Sequence, residues 1–301
     1  MDGAADARRL CGTVTVELTG EIGDQDRVVA QVERILSLDV DGRGFPELGR
    51  RDPVVGELLQ RYPGLRPVLF CSPYEAACWS IIGQRLRITQ AAAIKQRLAD
   101  QLGDRVTVAG QQLTAFPAPQ QLRGRALPGL PQVKVERLDA IATAALSGQL
   151  DTARLRDLDT DQALEELTRL PGIGPFSAEL ILARGAGHPD LFPTAERRLH
   201  AEIAGAYRLT EPTVARLADV ADGWRPYRTW VGLLLRTRRE ATPTRSAGAA
   251  VPIVEPQRAG HLGRRYGSYA HRCSTRLSRA SDWGLLVECH PPGVTLGRRC
   301  C

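Results

Sequence analysis

A glycine turn in the segment 164–185, LEELTRLPGIGPFSAELILARG, has the composition of a phosphate-binding hairpin. One helical pattern ends before the turn, and another begins at Pro175, where a missing N–H costs nothing. Gly172 and Gly174 can adopt positive φ and leave backbone N–H groups uncovered. At a helix N-terminus such groups attract an anion. We therefore predict that Gly172, Ile173 and Gly174 bind a DNA phosphate. An ordinary corner between two helices is the alternative.

Three blocks of sequence, in order along the chain, carry a resemblance to a known family. They are RYPGLRPVLFCSPYEAACWSIIGQRLRITQAAA at 61–93, LPGIGPFSA at 170–178 and WRPYRTWVGLLLR at 224–236. Together they resemble the helix-hairpin-helix DNA glycosylase superfamily, and within it the 3-methyladenine DNA glycosylase II family. The resemblance implies a mostly α fold of two helical subdomains with a small, reduced N-terminal β element.

The resemblance also implies a catalytic carboxylate at Glu196, because an ungapped count from Gly172 matches it to the family's aspartate. Glutamate is one methylene longer, and the distance from the carboxylate to the sugar matters. A fixed carboxylate stabilises the positive charge that develops on deoxyribose when an N-glycosidic bond breaks. We expect Thr194 to be the N-cap, which would put Glu196 in the first helical turn. Helix capping alone is the alternative role for this acid.

The family's base pocket and its lyase chemistry map onto three further positions. Members that also cut the backbone use a lysine where this chain has Phe176, so the resemblance implies a monofunctional enzyme without lyase activity. Phe176, Leu180 and Arg236 match the pocket walls. A flipped base needs aromatic or apolar walls, and Arg236 would repel a cationic base. Phe176 as an ordinary core residue is the alternative.

The turn after Gly83 matches the family's wedge, a side chain that fills the gap left by the flipped base. Gln84, Arg85 and Leu86 are the candidates for this role. A plain helix C-terminus is the alternative, and Arg85 with Arg87 could instead contact phosphates.

Periodicity predicts the elements that must position these residues. An alternating stretch at 12–18 predicts a strand, breakers follow at 42–46, and 106–116 is expected to be irregular or extended. Helices are predicted at 24–38, 52–62, 73–84, 88–102, 120–126, 133–146, 161–170, 175–184, 195–207, 211–222 and 225–239.

Composition suits a protein that binds a polyanion. The net charge is +6 and the pI is about 9.1, although a GC-rich genome would also favour the many arginines. Seven cysteines include no C-x-x-C pair, so zinc ribbons and four-cysteine clusters are not indicated. No cofactor is expected, and a metal at the hairpin would be a monovalent ion held by carbonyls. With neither an apolar span nor a signal peptide, we expect a cytoplasmic, nucleoid-associated monomer.

Three segments are predicted: an N-terminal α/β element at 1–49, a glycosylase domain at 50–240 and a disordered tail rich in Arg, Pro and Gly at 241–301. The favoured function is a monofunctional glycosylase that hydrolyses damaged, alkylated bases in double-stranded DNA, such as 3-methyladenine or 7-methylguanine. A non-catalytic DNA-binding protein of the same fold is the second interpretation. A purely structural helical protein is the third.

Overall fold

The computed structural model describes residues 14, 23–108 and 111–241 and two short segments, 279–280 and 284–285. Within these residues the chain is mostly α-helical. Its helices are α1 Gln25–Ile35, α2 Phe45–Arg51, α3 Pro53–Arg61, α4 Pro73–Gly83, α5 Ile88–Leu102, α6 Pro119–Leu122, α7 Gln132–Leu146, α8 Thr152–Asp157, α9 Thr160–Thr168, α10 Pro175–Leu180, α11 Arg197–Ala206, α12 Val214–Asp222 and α13 Arg228–Ala241.

Two small antiparallel strand pairs accompany the helices. Strands β1 Arg105–Val108 and β2 Gln111–Thr114 pair with Val106 opposite Leu113. Strands β3 Arg279–Ala280 and β4 Gly284–Leu285 pair within the predicted tail. The rest of that tail after residue 241 lies outside the described residues, as does the predicted strand at 12–18 apart from residue 14.

Two hydrophobic cores divide the helices into two subdomains. The first core is built around α4, α7, the hairpin and the segment that follows it, and its buried members include Ile81, Ile141, Ile173, Ile181 and Leu182. The second is built around α2, α3 and α11–α13, and its buried members include Leu48, Leu199, Trp224, Trp230 and Leu235. This arrangement confirms the expected mostly α fold with two helical subdomains. The three-segment division of the chain stays a prediction.

The hairpin connects these cores through a single continuous helix. Helix α10 passes without a break into a π-helical segment, Ile181–Ala186. A π-helical turn is wider than an α-turn, and such turns recur at functional sites. At its end the carbonyls of Arg184 and Gly185 accept bonds from Phe70 N and Arg34 Nη1, at 2.9 and 2.7 Å. The segment before α4 is thereby bonded to the hairpin.

Two helices and one strand pair differ from the sequence-based expectations. Helix α2 forms where Pro46 was interpreted as a breaker, because the proline occupies the first helical turn. Helix α8 has six residues, too few to display a periodic pattern. The irregular stretch at 106–116 contains β2 and much of β1. In the described part of the chain, no helix combines the length and the apolar character needed to cross a membrane.

Arg34 supplies the first prediction. Its guanidinium is buried and donates to the carbonyls of Gly185, Phe70 and Cys71, and burial lowers its pKa. Arg34→Met should lower the free energy of unfolding by about 2–4 kcal/mol, because three carbonyls lose a charged donor. Arg27→Met, on the exposed face of the same helix, should change it by less than about 0.5 kcal/mol. Equal denaturation midpoints for the two variants would contradict the stabilising role of Arg34.

Candidate active site

The glycine turn of the hairpin exposes backbone at the start of α10. Gly172 has φ +82°, and a Cβ there would lie 2.5 Å from Arg137 Cδ. Gly174 is extended, and a Cβ there would meet nothing within 4 Å. Ile173 is buried in the first core, and its amide donates to the carbonyl of Leu170 at 3.0 Å. Ile173 therefore anchors the turn by its side chain, and its own amide is bonded within the turn.

Gln84 is bonded to this hairpin. Its Nε2 donates to the carbonyl of Gly172 at 2.7 Å, and its Oε1 accepts from Arg137 Nη1 at 2.8 Å. Lys134 Nζ donates to the carbonyls of Gln84 and Ile82, at 2.9 and 2.8 Å. The turn after α4 is therefore attached to the hairpin by side chains. Gln84 thus uses both polar atoms of its side-chain amide in bonds to the hairpin and to Arg137.

The other two wedge candidates are exposed at the same turn. Arg85 has φ +57°, and Leu86 is 37% exposed. Leu86 and Gln84 line an open cleft that also includes Phe176, Leu180 and other residues of α4, α5 and α10.

A second, more apolar pocket lies between the two cores. We call it the central pocket, and it brings together the predicted carboxylate and the three predicted wall residues. One side comes from α10 and the π-helical segment, and the other from α11, its preceding loop and α13. It is lined by Phe176, Glu179, Leu180, Ala183, Arg184, Pro193, Glu196, Leu199, Thr229, Gly232, Leu233 and Arg236. The central pocket and the cleft share Phe176 and Leu180, so the two cavities adjoin.

Glu196 stands immediately before α11. The expected N-cap at Thr194 is wrong, because the helix begins at Arg197 and Glu196 itself occupies the N-cap position. The Glu196 side chain makes no capping bond. Its Oε1 instead accepts from Arg236 Nη1 at 2.9 Å, and the two side chains are 18% and 10% exposed. The carboxylate is therefore mostly buried and held by an ion pair.

Glu179 is a site residue that the sequence analysis missed. The residue is only 5% exposed. Oε1 accepts from the amide and the hydroxyl of Thr194, at 2.6 and 2.7 Å. Both oxygens accept from the amide of Ala195, at 3.2 and 3.1 Å. An acid on the buried side of a helix, beside Ala178 and Leu182, is the pattern that could have identified it.

The other ionisable groups near the hairpin have structural partners. Asp190 accepts from Arg228 Nε at 2.9 Å and from Arg225 Nη1 at 3.0 Å, so it joins its loop to α13. Burial lowers the pKa of His188, whose Nδ1 accepts from the amide of Asp190. His200 Nε2 is 2.8 Å from the carbonyl of Pro193. Among the described residues, no cluster of three or more His, Cys, Asp or Glu could hold a metal ion.

The two glycines supply the second prediction. Gly174→Ala should leave the melting temperature unchanged and weaken duplex binding about tenfold, because its methyl group would occupy the space open to a phosphate. Gly172→Ala should lower both the melting temperature and the duplex affinity, because residue 172 has a positive φ and a Cβ there would contact Arg137. Duplex affinity measured by fluorescence anisotropy, together with thermal melting, distinguishes the effects of the two variants. Unchanged duplex affinity of Gly174→Ala would contradict the proposed phosphate contact.

Comparisons with known proteins agree with this geometry. No family model matches the chain. A DNA-3-methyladenine glycosylase of Bacillus subtilis is 24% identical over 217 residues, which cover 70% of this chain and 72% of the relative. DNA-3-methyladenine glycosylase 2 of Escherichia coli is 29% identical over 182 residues. That match covers 58% of this chain and 61% of the relative, which is less than two thirds of its length.

A solved structure supports the fold. A 3-methyladenine DNA glycosylase from Archaeoglobus fulgidus superposes with a TM-score of 0.64 at 21% identity, over 76% of this chain and 79% of that one. The order of the helices and the similarity to these relatives lead to one conclusion. The chain is similar in sequence to 3-methyladenine DNA glycosylases and shares the fold of a solved one, so it resembles the helix-hairpin-helix DNA glycosylases.

Proposed function

We propose that this protein is a monofunctional DNA glycosylase of base excision repair. It would hydrolyse the N-glycosidic bond of damaged, alkylated bases, such as 3-methyladenine or 7-methylguanine, flipped out of duplex DNA. The relatives' names give the reaction and the class of base. The observation that carries the proposal is the position of Glu196, mostly buried in a pocket whose walls include Phe176 and Leu180. As a monomer, it would act on nucleoid DNA in the cytoplasm.

The chemistry assigned to Glu196 follows from its charge and position. When the C1′–N bond breaks, its electron pair leaves with the base, and positive charge develops on the sugar. An ionised carboxylate near C1′ stabilises that charge. The oxygen of a water molecule then bonds to C1′, and Glu196 can orient that water and accept its proton. Phe176 and Leu180 provide surface against which a flipped base can pack.

Duplex DNA would lie along the face formed by the hairpin and the turn after α4. The amides of Gly172 and Gly174 would contact one phosphate, and Arg85 or Leu86 would enter the gap in the stack. Exposed Arg87 and Arg198 line the open cleft that includes Gln84 and Leu86, and they add positive charge there. Such phosphate contacts make the affinity fall as salt rises.

A lyase that works through a Schiff base needs a lysine amine at the site of chemistry, and neither lysine of this chain is placed there. The chain has two, Lys95 and Lys134, and neither lines the central pocket. Lys95 forms an ion pair with Glu75. Burial lowers the pKa of Lys134, a property that Schiff-base lysines share, but two carbonyls hold its Nζ. These contacts support the proposal that the enzyme lacks lyase activity.

A third prediction follows from the lysines. Borohydride added during incubation with DNA that contains a natural abasic site should trap no covalent adduct, because a Schiff base must form before it can be reduced. Denaturing gel electrophoresis detects the adduct, and a bifunctional glycosylase/lyase is the positive control. A trapped band would overturn the monofunctional assignment, and its loss in Lys134→Ala would identify the amine.

The ion pair between Arg236 and Glu196 favours a second candidate function. A guanidinium 2.9 Å from the carboxylate offsets part of its charge, which weakens its attraction for a cationic sugar or base. A non-catalytic DNA-binding protein of the same fold would tolerate this pairing. Both candidates bind duplex DNA in a salt-dependent way, and only the enzyme releases a free base.

Base release from methylated duplex DNA distinguishes these two candidates and is the fourth prediction. The unmodified protein should release 3-methyladenine or 7-methylguanine, and Glu196→Gln should slow single-turnover release about 100- to 1,000-fold. Glu57→Gln, the same change on the exposed face of α3, should release base at the unmodified rate. Full activity of Glu196→Gln would exclude Glu196. Salt-sensitive binding without release, across a panel of lesions, would favour the non-catalytic protein.

A further inference from the structure

We infer that Glu179 is a positioning residue, which fixes the backbone that carries Glu196 into the central pocket. The inference rests on the proposed function. Residues Thr194 and Ala195 come immediately before Glu196, and Glu179 binds both of them. It accepts from two amides and one hydroxyl, at distances between 2.6 and 3.2 Å. No other side chain in the described residues is bonded to these two amides.

Burial of the Glu179 carboxylate requires compensation. Glu179 as a whole is 5% exposed, and a buried carboxylate is costly unless donors surround it. Three donors do so here, and hydrogen bonds to an ionised acceptor are stronger than those between neutral groups. The buried charge is therefore bonded specifically to the Thr194–Ala195 segment. Glutamine in its place would carry an NH₂ group, which donates. That group would face some of the donors that now bind the carboxylate.

The Glu196 side chain is not used to cap its own helix. A residue at an N-cap often uses its own side chain to accept from the first helical amides. Glu196 occupies the N-cap of α11 but makes no such bond. The amides that Glu179 binds lie before α11, so Glu179 fixes the backbone that leads into Glu196 and does not cap the helix. The Glu196 carboxylate lines the pocket and pairs with Arg236.

Glu179 further connects the carboxylate to the DNA-binding hairpin. It lies on α10, the helix that begins at the glycine turn and carries Phe176 and Leu180. A phosphate bound at the turn and the carboxylate of Glu196 would therefore be related through one short helix and one set of hydrogen bonds. Positioning errors of about 1 Å can cost about 100-fold in rate. Loosening this link should thus slow chemistry without weakening DNA binding.

A base-independent probe tests this inference. Two duplexes are compared, one with a neutral tetrahydrofuran abasic site and one with a pyrrolidine analogue that carries a positive charge near the position of C1′. The unmodified protein should bind the cationic duplex more tightly, and Glu196→Gln should remove that preference. Glu179→Gln should reduce the preference about tenfold, with affinity for the neutral duplex within about twofold.

Milder variants guard against a folding defect in Glu179→Gln. Thr194→Val removes only the hydroxyl donor and should reduce the preference about threefold. Thr194→Ser retains the hydroxyl and should keep the preference of the unmodified protein. Glu57→Gln is the matched control, with no expected change. Single-turnover base release should fall in the same order as the preference for the cationic duplex.

The possible outcomes separate the inference from the function on which it rests. If the unmodified protein neither prefers the cationic duplex nor releases base, the proposed function fails and the inference fails with it. If the preference is present and survives in both Glu179→Gln and Thr194→Val, only the inference is overturned. Equal weakening of both duplexes by these two variants would show a general structural role, and would also overturn it.

Discussion

The buried carboxylate of Glu179 is bonded across the boundary between the two cores, and the geometry of the central pocket is built around that link. Helix α10 and the π-helical segment that continues it pack in the first core through Ala178 and Ile181. Glu179, on the side facing the second core, holds the Thr194–Ala195 segment. The central pocket is thus formed where two separately packed groups of helices meet. A pocket between subdomains is a common place for a ligand, because each side is rigid by itself.

The same helix is held from its other end by charged side chains. Arg34 donates to the carbonyl of Gly185, within the π-helical segment, at 2.7 Å. Arg184, in the same segment, donates to the carbonyl of Val68 at 2.6 Å. A wider helical turn leaves carbonyls available to partners outside the helix. The segment between α1 and α4 therefore braces the helix that carries Phe176, although it lines neither cavity. Rigidity of this kind is what a site needs when it must hold a carboxylate against a short-lived charge.

Local signals in the sequence were sufficient for many elements. Helix α5 has the limits that its pattern predicts, and α10 begins at the predicted proline. Helix α2 was missed because a proline in a first turn and a proline that breaks a helix look alike without the tertiary context. The site residues were identified by resemblance, since Glu196 precedes α11, Arg236 lies on α13, and their spacing in sequence carries no information. Glu179 was missed for a related reason, because its donors come from a loop whose path depends on both cores.

The pairing of Glu196 with Arg236 changes what the pocket can do with charge. A bare carboxylate attracts a cation, such as a cationic base, about equally from every direction. A carboxylate beside a guanidinium presents a dipole, whose attraction falls faster with distance and depends on direction. Two unit charges 4 Å apart interact by about 4 kcal/mol at an effective dielectric constant of about 20, so partial cancellation is a large effect. In the proposed reaction, stabilisation of the sugar would therefore depend on where Glu196 is held, more than on the net charge of the pocket. Interactions that strengthen only as charge develops are those that accelerate the chemical step.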